Sequence, residues 1–155
     1  MGLFGGFFSK LLFWKNATAE EIEKAEINFS PEEEEVSGLN FKTAIDAHSQ
    51  WKVRLSTYIR GSSTEELKVE NIEVDNKCVL GKWIHGEGGE KYGNDIEELK
   101  KVHAHFHKEA GFVLKTYLTG NKDGALKQLE AGDYAKYSVE VKRILMQLYL
   151  RLKDK

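Results

Sequence analysis

Four residues in three short stretches of the chain could together hold one metal ion. His103 and His107 lie four positions apart, so on a helix both imidazoles leave the same face one turn apart. His48 and Cys78 would complete a set of three imidazoles and one thiolate, ligand types from which zinc sites are built. The sequence therefore predicts one tetrahedral Zn²⁺ held by His48, Cys78, His103 and His107.

Each of these residues also has an ordinary structural interpretation. His48 and His103 fall on apolar stripes, where a lone histidine is usually a core residue hydrogen-bonded to a carbonyl group. Cys78 could be a small buried hydrophobe beside Val79 and Leu80. Burying imidazoles and a thiol without a shared partner would be costly, and this coincidence favours the metal.

Two further histidines are expected to lie outside the site. His105 is two positions from His103, about 200° round a helix, and should face away from the metal. His85 precedes a run of glycines and could contact a ligand, although an exposed position is the simpler interpretation.

The number of protein ligands bears on function. A zinc enzyme needs an open coordination position and a nearby general base, whereas four protein ligands close the site. The sequence also has no HExxH-type arrangement. We therefore expect a structural or sensing metal, and a protein that is not an enzyme.

Composition restricts the class of protein. The 155 residues correspond to one ordinary domain. A net charge of −2 gives no sign of a nucleic-acid binder. The single cysteine excludes an internal disulfide, and the chain has no secretory signal, so the predicted compartment is the cytoplasm.

Apolar residues recur at helical spacing along most of the chain, which predicts an all-α antiparallel four-helix bundle with one short metal-binding helix. The predicted helices cover 39–59, 78–84, 94 or 95 to about 119, and 123–153. A long polar connection is expected over 61–76, and a break at Gly86-Glu-Gly-Gly.

Three segments are predicted: an amphipathic N-terminal segment over 1–15, an acidic linker over 16–37 and the bundle over 38–155. The first segment is too short to span a bilayer. It could lie in the interface at the inner face of the membrane, or dock onto a partner protein or the bundle itself.

The last predicted helix has apolar residues on more than one face near its end. A three-helix core needs only one stripe, so a second copy of the chain could cover the surplus and form a homodimer. Alternatively, the N-terminal segment covers it within one chain.

Three motifs resemble the signature of the bacterial chemoreceptor zinc-binding domain, or CZB, in a stand-alone form. They are His48-x-x-Trp51-Lys52-x-x-Leu55, Cys78-x-Leu80-Gly81-Lys82-Trp83-Ile84 and His103-x-x-Phe106-His107. The resemblance covers roughly 36–155. It implies a small helical bundle that usually dimerises and binds zinc through three histidines and one cysteine, the same four residues.

The resemblance also implies a role in bacterial signalling. CZB domains typically accompany chemoreceptors or diguanylate cyclases, where zinc occupancy or cysteine oxidation alters chemotaxis or cyclic-di-GMP signalling. This chain has no receptor heptads and no cyclase motif, so what it regulates is expected to be reached through another chain or a membrane. His85 also departs from the aromatic residue that the family often has there. A zinc-stapled interaction scaffold without a sensing role remains the alternative.

Overall fold

The computed structural model of the chain describes residues 3–25 and 35–153. Its helices are α1 (Leu3–Asn16), α2 (Ala19–Lys24), α3 (Phe41–Ile59), α4 (Val69–Ile72), α5 (Val79–Ile84), α6 (Glu87–Tyr92), α7 (Glu97–Leu118), α8 (Lys122–Ala131) and α9 (Asp133–Leu152). A 3₁₀ turn, Gly93–Ile96, leads into α7, and strands β1 (Glu35–Val36) and β2 (Leu39–Asn40) precede α3.

Four helices build the bundle. Helix α7 packs against α3, α8 and α9, and α9 also contacts α3 and α8. The buried faces meet in one continuous hydrophobic core. The predicted all-α helical bundle is confirmed.

The first bundle helix begins two residues later than predicted. Leu39 and Asn40 form a short antiparallel strand that pairs with Glu35 and Val36 through the turn Ser37-Gly38. Asn40 then caps α3, because its side chain accepts a hydrogen bond of 2.9 Å from the backbone of Thr43.

The predicted single helix over 123–153 is wrong. Gly132 has extended backbone angles, φ −92° and ψ −166°, and separates α8 from α9. A Cβ atom at this position would lie only 3.0 Å from the Cα atom of Gln128. A glycine therefore suits this boundary, where the backbone leaves α8 and passes close to Gln128 before α9 begins.

The predicted break at Gly86-Glu-Gly-Gly is also partly wrong. Gly86 lies between α5 and α6, as a break requires, but Glu87, Gly88 and Gly89 belong to α6. A Cβ atom on Gly88 would lie 2.5 Å from the Trp83 ring. The glycines serve close packing between two short helices rather than a loop.

An arm made of α1 and α2 packs along α9. Trp14, Ala17 and Ile22 are buried, so part of the predicted linker is a packed helix. Residues 26–34, the middle of the predicted linker, lie outside the described residues. The segment boundaries at 15 and 37 stay predictions.

The arm bears on the predicted dimer. The apolar residues near the end of α9 are buried within one chain, among them Met146, Leu148 and Leu150. Because the arm contacts α9, surplus apolar surface no longer argues for a second copy, and the homodimer stays a prediction.

Among the described residues, no helix has the length and apolar character needed to traverse a bilayer.

Candidate metal centre

The donor atoms of His48, Cys78, His103 and His107 all lie within 4.8 Å of one another. The His103 Nε2 atom is 3.0 Å from Nε2 of His48 and 3.1 Å from Nε2 of His107. Cys78 Sγ lies 3.3 Å, 3.5 Å and 3.8 Å from Nε2 of His103, His107 and His48, respectively. The fold thus brings together all four predicted residues, which lie up to 59 positions apart in the sequence.

Three helices position these atoms. His48 lies near the middle of α3, and His103 and His107 lie one turn apart on α7. Cys78 is the N-cap of α5, and its sulfur accepts a hydrogen bond of 3.3 Å from the Gly81 amide. The three histidines are buried, because each occupies the core-facing stripe of its helix.

The hydrogen bonds of the far ring nitrogens fix two of the imidazoles. His48 Nδ1 donates to the Ala44 carbonyl oxygen at 2.7 Å, and His107 Nδ1 donates to the Ile72 carbonyl oxygen at 2.9 Å. Each Nδ1 therefore carries the proton of the neutral ring, and each Nε2 presents a lone pair to the cluster.

The arrangement of these lone pairs shows whether the four residues could share one metal ion. Nε2 of His48 and Nε2 of His107 both face Nε2 of His103, which can donate a proton to only one of them. A tetrahedral zinc places its nitrogen ligands about 3.3 Å apart and sulfur about 3.5 Å from each nitrogen. The observed separations are close to these values, so the residues fit a shared Zn²⁺.

Comparison with known proteins agrees with this geometry. Residues 48–114 match the family model of the chemoreceptor zinc-binding domain, a range that begins at His48 and includes all four donor residues. The chain contains a CZB domain. No curated protein and no solved structure matched the chain.

The match is narrower than the predicted resemblance over 36–155, since it spans most of α3 through most of α7. It excludes α8, α9 and the arm. The family and the donor set together make zinc the cofactor of this CZB domain.

Burial keeps the imidazoles of the CZB site in their ligand form. It lowers the pKa of His48 to about 4, although the hydrogen bond to Ala44 acts in the opposite direction. It lowers the pKa of His103 to about 2, assisted by the neighbouring His48 and His107, and it also lowers the pKa of His107. All three rings are therefore neutral at pH 7 and need lose no proton to bind zinc.

The thiol behaves differently. Burial raises the pKa of Cys78, although nearby backbone amides, that of Gly81 first, lower it. Without a cation the group would stay a thiol at pH 7. Zinc would hold Cys78 as a thiolate, because a coordinating thiol gives up its proton.

The residues that follow Cys78 hold α5 against the bundle. A Cβ atom on Gly81 would lie 1.6 Å from the Asp75 carbonyl oxygen, so only glycine allows this contact. Leu80 and Ile84 are buried. The Trp83 indole donates a hydrogen bond of 2.9 Å to the Ser37 carbonyl oxygen in the β-turn. The motif thus fixes the position of the sulfur.

The two remaining histidines lie outside the donor cluster. His105 is exposed and stacks on Tyr137, with ring centroids 4.9 Å apart. His85 is exposed and binds the Asp75 carboxylate at 2.9 Å, which ties the end of α5 to the preceding loop.

Sequence reasoning missed the Ile72 carbonyl group, which orients His107. It lies in α4, within the stretch predicted to be a polar connection. Val69 and Ile72, one helical turn apart, were the available sign of a packed segment. A backbone oxygen leaves no other mark in a sequence.

Proposed function

We propose that this protein is a zinc-dependent, oxidation-sensitive regulatory module of bacterial signalling. The CZB match and the donor cluster support a zinc-binding signalling role. With four protein ligands, no position remains for a substrate, so the proposal does not include catalysis.

The observation that carries the proposal is the placement of the sulfur ligand. The three histidines sit on the long helices α3 and α7, whereas Cys78 caps the six-residue helix α5. Oxidation of a zinc-bound sulfur to sulfenic or sulfinic acid weakens it as a soft ligand. The loss of that bond would release a short helix while the long helices keep their packing.

The test is oxidation of the zinc-loaded protein with hypochlorous acid or peroxide. Zinc should appear in solution as Cys78 is modified, and amides over 76–92 should exchange faster than those of α3 and α7. Cys78→Ser is the control, since zinc that this variant binds should not be released by the oxidant. Retained zinc in protein whose Cys78 is oxidised would contradict the proposal.

A second function is favoured by the burial of the site. His48 and His107 contact the Phe106 ring, which also packs against Tyr134, so the metal site is continuous with the core. Zinc would then act as a staple of an interaction scaffold. Uniform loss of amide protection across the bundle on zinc removal would support this alternative.

The setting of the module is proposed on the same basis. We propose a cytoplasmic location and a signalling partner in trans, of the chemoreceptor or diguanylate cyclase type, as the family resemblance implies. The same resemblance supports a homodimer. The physiological signal is either zinc or an oxidant. It is the one that changes the amide hydrogen exchange of residues 76–92 at its cellular concentration.

A further inference from the structure

Arg143 on α9 fastens the arm to the bundle. Its guanidinium donates hydrogen bonds of 2.8 Å, 3.3 Å and 2.7 Å to the carbonyl oxygens of Trp14, Lys15 and Ala17. The last carbonyl groups of a helix have no partners within the helix and carry partial negative charge. Arg143 therefore caps α1 and fixes how this helix lies on α9.

The neighbouring Lys142 fastens α2 in the same way. Its ammonium group donates a hydrogen bond of 2.8 Å to the Ala25 carbonyl oxygen. Thr18 and Glu21 form a reciprocal capping box at the start of α2, directly after α1. The arm is thus held at two successive helix ends. These contacts determine which side of α1 faces away from the bundle.

The docked helix still presents large apolar side chains to solvent. Trp14 is buried, whereas Leu12 is 55% exposed and Phe13 is 38% exposed. A helix with apolar residues on both its packed and its solvent side has a further apolar surface to cover.

Charge indicates what covers this surface. Lys10 and Lys15 are exposed on either side of Leu12 and Phe13. The first eighteen residues contain no Asp or Glu. Aromatic and aliphatic side chains flanked by lysines suit the boundary between anionic headgroups and acyl chains.

We propose that α1 is a docking surface for anionic phospholipid, lying in the plane of the bilayer interface while Arg143 holds it on α9. The helix has 14 residues, fewer than the roughly 20 needed to span a bilayer. A second copy of the chain fits less well, because a two-fold contact through this face would bring Lys10 and Lys15 of one copy close to the same lysines of the other. The proposal is independent of the zinc-sensing function.

The test is co-sedimentation of the intact chain with vesicles of phosphatidylcholine, alone or mixed with phosphatidylglycerol. The wild-type chain should sediment with the mixed vesicles. The double variant Leu12→Ser, Phe13→Ser should bind them at least about tenfold more weakly, since it loses two apolar side chains from the interface. The matched control is Phe112→Ser, Leu118→Ser, which removes a phenylalanine and a leucine that are 51% and 56% exposed on α7 and should bind like wild type.

A second pair of variants tests the charge. Lys10→Glu, Lys15→Glu should abolish most binding to the mixed vesicles, while Lys100→Glu, Lys101→Glu on the exposed side of α7 should not. Zinc content should be equal in all four variants. Wild-type protein that stays in the supernatant, or equal sedimentation of the Leu12/Phe13 variant, would overturn the proposal. The proposal would also be overturned if the Leu12/Phe13 variant lost only self-association and bound the vesicles like wild type.

Discussion

His107 Nδ1 donates a hydrogen bond of 2.9 Å to the carbonyl oxygen of Ile72. The donor lies on α7 and the acceptor on α4, so an imidazole of the zinc cluster is oriented by a four-residue helix outside the bundle. Because Cys78 follows α4 by only a few residues, a zinc ion at the cluster would join α3, α5 and α7 and, through this hydrogen bond, also α4.

Substitution of the paired histidines should remove zinc selectively. His103→Ala and His107→Ala each delete one donor nitrogen and should weaken zinc binding by at least about 100-fold, since even outer partners of a ligand contribute 10–100-fold. His105→Ala is the matched control, because His105 stacks on Tyr137 outside the cluster. The measurement is zinc affinity by competition with a chelator, and equal loss in all three variants would contradict the assignment.

Gly81→Ala should disturb the sulfur ligand without touching a donor atom. The new Cβ would lie 1.6 Å from the Asp75 carbonyl oxygen, so α5 must move away from the loop. Zinc affinity should fall at least about tenfold, as expected for a change that displaces a ligand. Lys82→Ala, at the next and exposed position, serves as the control; an unchanged affinity for Gly81→Ala would show that α5 need not be held there.

The site was predictable because its signals are local. The spacing of His103 and His107 places both rings on one face of any helix, and each of the four residues has a chemistry that zinc prefers. The break at Gly132 was not predictable, because one glycine costs a helix only about 1 kcal/mol and is often tolerated. Its role depends on the close approach of Gly132 to the backbone of Gln128 at the end of α8.

The sequence does not determine how the arm docks, for a related reason. The contact between Arg143 and the carbonyl oxygen of Trp14 joins positions 129 residues apart, and its acceptor is backbone. Periodicity shows that a helix has an apolar side, but it does not show what covers that side.

Zinc-free protein should lose stability as the pH falls below about 6.5. The folded state holds His48 neutral down to a pKa of about 4, whereas an unfolded chain binds that proton near pH 6.5. Acid therefore favours unfolding, by about 2 kcal/mol at pH 5 for this one group. Urea unfolding of apo protein at pH 7 and pH 5 measures it. His48→Gln should lose less stability over the same range, and an equal loss would contradict the prediction.

Removal of the Arg143 cap should loosen α1. Arg143→Met deletes the hydrogen bonds to Trp14, Lys15 and Ala17, and charged hydrogen bonds contribute about 1.5–3 kcal/mol. Amides over 10–17 should exchange at least about tenfold faster, while those of α7 stay unchanged. The exposed Arg151 on α9 supplies the control variant Arg151→Met, and equal exchange in both variants would show that Arg143 does not hold the arm.

The most direct test of the zinc site is X-ray absorption at the zinc edge of the loaded protein, with metal content measured on the same sample. We expect one zinc per chain with one sulfur neighbour at about 2.3 Å and three nitrogen neighbours at about 2.0–2.1 Å. The sulfur signal should vanish in Cys78→Ser. A wild-type spectrum without sulfur, or with two sulfur ligands, would contradict the ligand set of His48, Cys78, His103 and His107.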